Sequence, residues 1–271
     1  MLFIQSAALQ VYEGFACRRP GQLRSSRNRD RSFDYDLAVR ITDMNWMQVE
    51  EYLLRDDRCI LPLGCTEQHA YLSLATDTIL ATKLAGDVAE GLNISVFPAL
   101  TFGITPHFMA YPGTVSASYA TYTALLSELL GSLYETGFRR ILIINGHGGN
   151  SPAQQLLPGW TARSPGARVK WHDWWIAPQT WAAVQEVHPV ASHASWMENF
   201  PWTRLMGVEM PENAKAAINW SELKGRSPQD IRLQLGDGNF GGPYQVEGRH
   251  MARIWQTAVQ QTRRLLESAW E

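Results

Sequence analysis

The chain has 271 residues, 45% of them hydrophobic and 18% charged, with a formal net charge of −2. That balance excludes a disordered chain, argues against a nucleic-acid partner, and leaves no apolar run of the ~18 residues a membrane span needs. Three cysteines, Cys17, Cys59 and Cys65, make neither a disulfide framework nor a paired metal knuckle, so a reducing, cytoplasmic setting is expected.

Residues 1–38 are set apart by Arg18, Arg19, Arg24, Arg27, Arg29 and Arg31 in a polar, serine-containing stretch. They read as a flexible or misassigned N-terminal extension, with one domain over residues 39–271. Thr42 or Asp43 is expected to cap a helix carrying Trp46, Val49, Tyr52 and Leu53 at helical spacing. Residues 59–63 read as a buried strand ending at Gly64, residues 78–92 as a helix, and residues 94–97 as the next strand. A loop over 100–114 contains His107, and a helix over 116–136 stops at Gly137. Residues 140–144 are the strongest strand, followed by a helix from about Ser151. Residues 169–172 are another strand. Residues 200–245 form an irregular excursion, and a helix over 249–270 ends the chain. Strands alternating with helices imply an α/β fold with a mostly parallel sheet and helices on both faces.

In such a sheet, ligands bind beyond the carboxyl ends of the strands. Two polar segments lie there: Gly64-Cys65-Thr66-Glu67-Gln68-His69 after the first strand, and Asn145-Gly146-His147-Gly148-Gly149-Asn150 after the strongest one. Asp77 follows just before a helix, as a cap or as a carboxylate reaching back toward Glu67 and His69. Singly, these are ordinary loop, turn and cap residues. Together they suggest a site for Zn, Mn or Fe rather than calcium. Neither a phosphate-binding glycine fingerprint nor a GxSxG elbow occurs. A third segment, Ser192 to Asn199, holds His193 and Glu198. Their five-residue spacing serves one site only if His193 is in a loop and Glu198 on the turn that follows.

Four pieces of the chain resemble the creatininase (creatinine amidohydrolase) family: LPLGCTEQHAYLSLATDT, FGITPHFMAYPGT, INGHGGN and HASWMEN, in the family's order. The resemblance implies a three-layer α/β/α sandwich, two divalent metal ions and a homo-oligomer, often a hexamer. It makes Glu67, His69, Asp77 and His147 metal ligands, with Asp77 bridging, and Glu198 a fifth. It places His193 beside the substrate as a proton carrier. The expected reaction is hydrolysis of a cyclic amide, formamide or related C–N bond in a small molecule by a metal-activated water. Peptide trimming or deformylation, and a catalytically silent metal-binding homologue, are the alternatives.

The chain departs from the family's pattern at several places. Ala70-Tyr71-Leu72 replaces Gly-Pro-His, and Gly149 stands where creatininase has a glutamate ligand. Trp196 replaces the first acid of the third segment's motif. These differences weigh against creatinine itself as the substrate. Gly148 and Gly149 are expected to offer N–H groups to an oxyanion. His107 either lines the pocket or fixes its loop. Eight of eleven tryptophans fall between Trp160 and Trp220. Among them, Trp174 and Trp175 form either an aromatic substrate wall or core.

Overall fold

A computed structural model describes residues 40–270, so the expected extension over residues 1–38 lies outside the described residues. Their framework is a four-stranded, all-parallel sheet in the order β2-β1-β3-β4. The strands are β1 (Arg58–Leu63), β2 (Ser95–Val96), β3 (Arg140–Asn145) and β4 (Arg168–Asp173). The central pair is in register from Arg58–Arg140 to Leu63–Asn145, so both strands end at the same edge.

Side chains on successive strand residues point to opposite faces, and the sequence uses both. Ile60, Leu142 and Ile144 enter one core, with α2 (Thr76–Ala89), α5 (Pro178–Gln185) and α8 (Gly248–Glu267). Cys59, Leu61, Leu63, Ile141 and Ile143 enter the other. That second core is covered by α1 (Trp46–Leu53), α3 (Tyr119–Glu135) and α4 (Leu157–Ala162). Burial on both faces explains why β1 and β3 read as unbroken apolar runs. The result is the expected three-layer α/β/α sandwich. The amphipathic α8 buries Met251, Ile254, Trp255 and Leu266 on one face, each large side chain contributing about 1.5–3 kcal/mol.

Some boundaries differ from expectation. The cap of α1 is Asn45, which forms a reciprocal capping box with Gln48, not Thr42 or Asp43. Helix α2 starts at Thr76, so Asp77 lies in its first turn and Ala75 is the N-cap. The helix expected from Ser151 begins as a 3-10 stretch, Gly148–Leu156, and becomes α4 only at Leu157. Pro152 within that stretch has no N–H to give an α-helical ladder. The excursion over 200–245 contains two short helices, α6 (Trp220–Leu223) and α7 (Pro228–Leu235). They close a third, small apolar cluster with Phe108 and Tyr111. Among the described residues no helix is long and apolar enough to cross a membrane.

Candidate metal centre

Strand β1 leads through α2 to β2, on one side of the central pair. Strand β3 leads through α4 to β4, on the other. The chain therefore diverges between the ends of β1 and β3, the place where an open α/β sheet forms its ligand crevice. The first turn of α2 folds over the end of β3. A Cβ on Gly146 would lie 2.4 Å from the Asp77 carbonyl oxygen, so glycine permits this approach.

The structure brings Glu67, His69, Asp77 and His147 together there, all buried. Asp77 stands between two imidazoles, with Oδ1 3.1 Å from His69 Nε2 and Oδ2 3.1 Å from His147 Nδ1. Glu67 Oε1 lies 3.3 Å from His147 Nδ1 and 3.6 Å from His193 Nδ1. Glu198 comes from the 3-10 turn Trp196–Glu198 and places Oε2 3.8 Å from His69 Nε2. The five-residue spacing of His193 and Glu198 thus serves one site, because His193 precedes that turn in a loop.

Each histidine is anchored from behind by a backbone carbonyl. His69 Nδ1 lies 3.2 Å from Glu67 O, His147 Nε2 3.0 Å from Ile104 O, and His193 Nε2 3.0 Å from Gln68 O. A carbonyl only accepts, so the His69 and His147 nitrogens carry protons and their opposite nitrogens face the carboxylates, whereas His193 Nε2 also meets the Gln68 amide Nε2–H at 2.8 Å. Metal-bound histidines are held in this way. Ala70 and Ala194, directly after two of these histidines, have φ of +51° and +59°. This region costs a non-glycine residue about 1–2 kcal/mol. Gln68 Oε1 accepts the Ala70 N–H at 3.1 Å, and Glu198 Oε2 the Ala194 N–H at 2.6 Å.

Burial penalises every charge here, and pairing decides which charges survive. The Glu67 carboxyl is held below its usual range because His147 and His193 outweigh its desolvation. Asp77 is lowered against its desolvation by His69 and His147. His69, opposed by burial, is pushed up to about 10 by Asp77 and Glu198, and His147 is raised by Glu67 and Asp77. Burial and the charge on His69 push His193 down to about 4. Burial pushes Glu198 up to about 7, against the attraction of His69. Acids this buried need positive charge, from imidazole protons or from a cation in their place.

The donor set fits a divalent cation. Glu67 Oε2, His69 Nε2 and Asp77 Oδ2 are buried without a hydrogen-bond partner; the last two lie at ion-pair distance but lack hydrogen-bond geometry. Three overlapping groups have donor atoms within 4.8 Å of one another: Cys65, Glu67, Asp77 and His147; His69, Asp77 and Glu198; and Glu67, His69 and His193. Mixed carboxylate and imidazole donors suit Zn, Mn or Fe.

A cavity of about 620 Å³ opens onto the cluster and is lined by Glu67, Asp77, His147, His193 and Glu198. The predicted substrate-side residues His107, Gly148, Gly149 and Trp175 also line it. Trp174 does not, which corrects its reading as a substrate wall. It is 3% exposed, with ring centroids 5.8 Å from Trp255 and 6.4 Å from Phe200 in the core. Adjacent residues face different ways, and only Trp175 faces the cavity. Sequence reasoning missed most of the aromatic wall: Phe108, Trp181, Trp220 and Phe240. The tryptophan clustering was the available signal for two of these. No lysine or arginine of the described residues lines the cavity.

A sequence model of the creatininase family, described as creatinine amidohydrolase, matches residues 42–266. Among curated proteins, the chain is 33% identical over 113 residues to 3-dehydro-scyllo-inosose hydrolase of Thermotoga maritima, covering 41% of this chain and 36% of that one. It is 30% identical over 122 residues to creatinine amidohydrolase of Pseudomonas putida, covering 42% and 46%. It is 36% identical over 123 residues to the mycofactocin precursor peptide peptidase of Mycobacterium tuberculosis, covering 41% and 48%. The matches thus span less than half the length of these relatives. A solved creatininase superposes with a TM-score of 0.70 at 21% identity, over 84% of this chain and 96% of that one. A manganese form gives 0.71 at 20%, over 84% and 97%, and a mutant described as Zn–Zn type 0.68 at 20%, over 84% and 96%. These likenesses show the shared fold.

Proposed function

The chain belongs to the creatininase family, and from that premise we propose that it is a metal-dependent amidohydrolase cleaving a C–N bond of a small, uncharged or cationic amide. The observation that carries this reading is the position of Asp77, with one carboxylate oxygen toward each of two donor groups. Glu67, Asp77 and His147 would hold one divalent ion, and His69, Asp77 and Glu198 the other. Glu198 would thereby replace the ligand absent at Gly149. The zinc and manganese forms of solved creatininases support this donor chemistry. Bound there, the ions would supply a water activated at neutral pH and polarisation of the scissile carbonyl.

The chain's own residues do the rest. His193, beside Glu67, would take up a proton and pass it to the leaving nitrogen. Gly148 and Gly149 present backbone N–H groups to the developing oxyanion. Trp175, Trp220 and Phe240 offer flat apolar walls that exclude water around the amide.

Peptide cleavage is the second reading, favoured by the 36% identity to the peptidase. The described wall offers no cation to a peptide's C-terminal carboxylate, which weighs against it. A panel of cyclic amides, formamides and short peptides, assayed with zinc, manganese or iron, separates the two. Turnover confined to uncharged or cationic amides and formamides supports the first reading. Turnover confined to peptides contradicts it.

A further inference from the structure

Cys65 has no place in the apolar packing of the molecule. It is fully buried, yet it belongs to none of the three hydrophobic clusters, whereas Cys59 of β1 sits inside one of them. Its surroundings are polar. A Cβ on Gly103 would meet Cys65 Sγ at 3.0 Å and Asn150 Oδ1 at 2.7 Å, so backbone and an amide wall the thiol on one side. On another side lies the metal cluster: Sγ, a Glu67 oxygen, an Asp77 oxygen and a His147 nitrogen all fall within 4.8 Å of one another.

Local chain geometry explains the pairing. In extended chain, residues i and i+2 point to the same side. Cys65 and Glu67 therefore face the site, while Thr66 turns away and donates its hydroxyl to the Thr101 carbonyl. In the same group, Glu67 Oε2 is buried without a hydrogen-bond partner, an independent mark of a site built for a cation.

We propose that Cys65 Sγ is a direct ligand of the ion held by Glu67, Asp77 and His147. This rests on the metal-centre reading above and goes beyond it. One ion would then have a thiolate, two carboxylates and an imidazole around it, the other only oxygen and nitrogen donors. Thiolate is a soft ligand that selects zinc, or cobalt in its stead, over manganese. The two positions would therefore differ in metal preference, with zinc confined to the Cys65 side under manganese excess.

The test is cobalt substitution of the full chain. Metal-free protein is loaded with Co²⁺, bound cobalt is counted after dialysis, and the near-ultraviolet spectrum is read for thiolate-to-cobalt charge transfer. The expected result is a band in the wild type that is lost in Cys65→Ser and Cys65→Ala while cobalt stays bound. The zinc-over-manganese preference should also fall by about tenfold or more, since loss of even an outer partner costs about 10–100-fold. The wild-type spectrum decides without any variant: bound cobalt with no such band overturns the proposal and leaves the metal centre standing. A band that persists in both variants also overturns it, by assigning the thiolate to another cysteine. A wild type that binds no cobalt overturns the metal-centre reading and this proposal with it.

Discussion

Asp77 holds His69 and His147 apart with its two carboxylate oxygens, each 3.1 Å from an imidazole nitrogen. It is on the first turn of α2, whereas His69 follows β1 and His147 follows β3. One side chain thus ties the three segments that meet at the switch point of the sheet. Losing the imidazole on either side should empty one half of the centre. His147→Ala is expected to lower turnover by at least about 100-fold, beyond what loss of an outer partner of a metal ligand costs. Glu198→Gln should retain one ion per chain instead of two. Kinetics with added metal, a circular dichroism spectrum and elemental analysis check these outcomes together.

Gly149 marks the chain's departure from creatininase, and the backbone has closed around it. An added Cβ would lie 2.0 Å from the Ile104 carbonyl oxygen and 2.4 Å from His147 Nε2, the pair whose hydrogen bond anchors His147. Gly149→Ala should therefore cost about 1–3 kcal/mol of stability through overpacking and weaken metal binding. Gly149→Glu should fail to add a ligand for the same reason. Thermal melts and zinc titrations of both variants read the effect.

Neighbouring tryptophans should behave oppositely. Trp174→Ala removes a core ring, and a loss of about 3–5 kcal/mol is expected. Trp175→Ala removes a cavity wall and should raise KM with a much smaller change in stability. Denaturant unfolding and steady-state kinetics on the two variants separate the roles.

His172 supplies a pH dependence remote from the metal cluster. Burial pushes it down to about 4 from its ordinary 6.5, against the pull of Asp173. The Thr262 hydroxyl donates to the Ala258 carbonyl, so its oxygen accepts from His172 Nε2–H. The unfolded chain then binds the proton more readily than the folded one between pH 4 and 6.5. Stability from this group is complete above 6.5, falls as pH drops through that window, and levels off below 4. The span is about 3 kcal/mol. His172→Gln should flatten this part of the stability curve, followed by urea unfolding between pH 4 and 7.

Much of this was legible in the sequence. Strands β1 and β3 announced themselves because burial on both faces demands unbroken apolar runs, and the polar segments after them had to share one edge of the sheet. Glu67, His69, Asp77 and His147 meet for that reason, and His193 and Glu198 join them from the loop and turn that follow α5. Phe240 was not legible, and Trp220 was signalled only by the tryptophan clustering, because the excursion that carries them follows neither helical nor strand periodicity. Trp174 and Trp175 could not be told apart in the sequence, because which of two adjacent rings faces the cavity depends on the turn after β4. The polar surroundings of Cys65 come from Gly103 and Asn150, distant in sequence, so its neighbours in the chain did not mark it.

Metal content per chain tests the central claim most directly. It is measured by elemental analysis on protein purified without chelators or a metal-binding tag, then offered zinc, manganese and iron. The account predicts two divalent ions per chain, and one in Glu198→Gln. A wild-type chain that retains no ion after this treatment would contradict it.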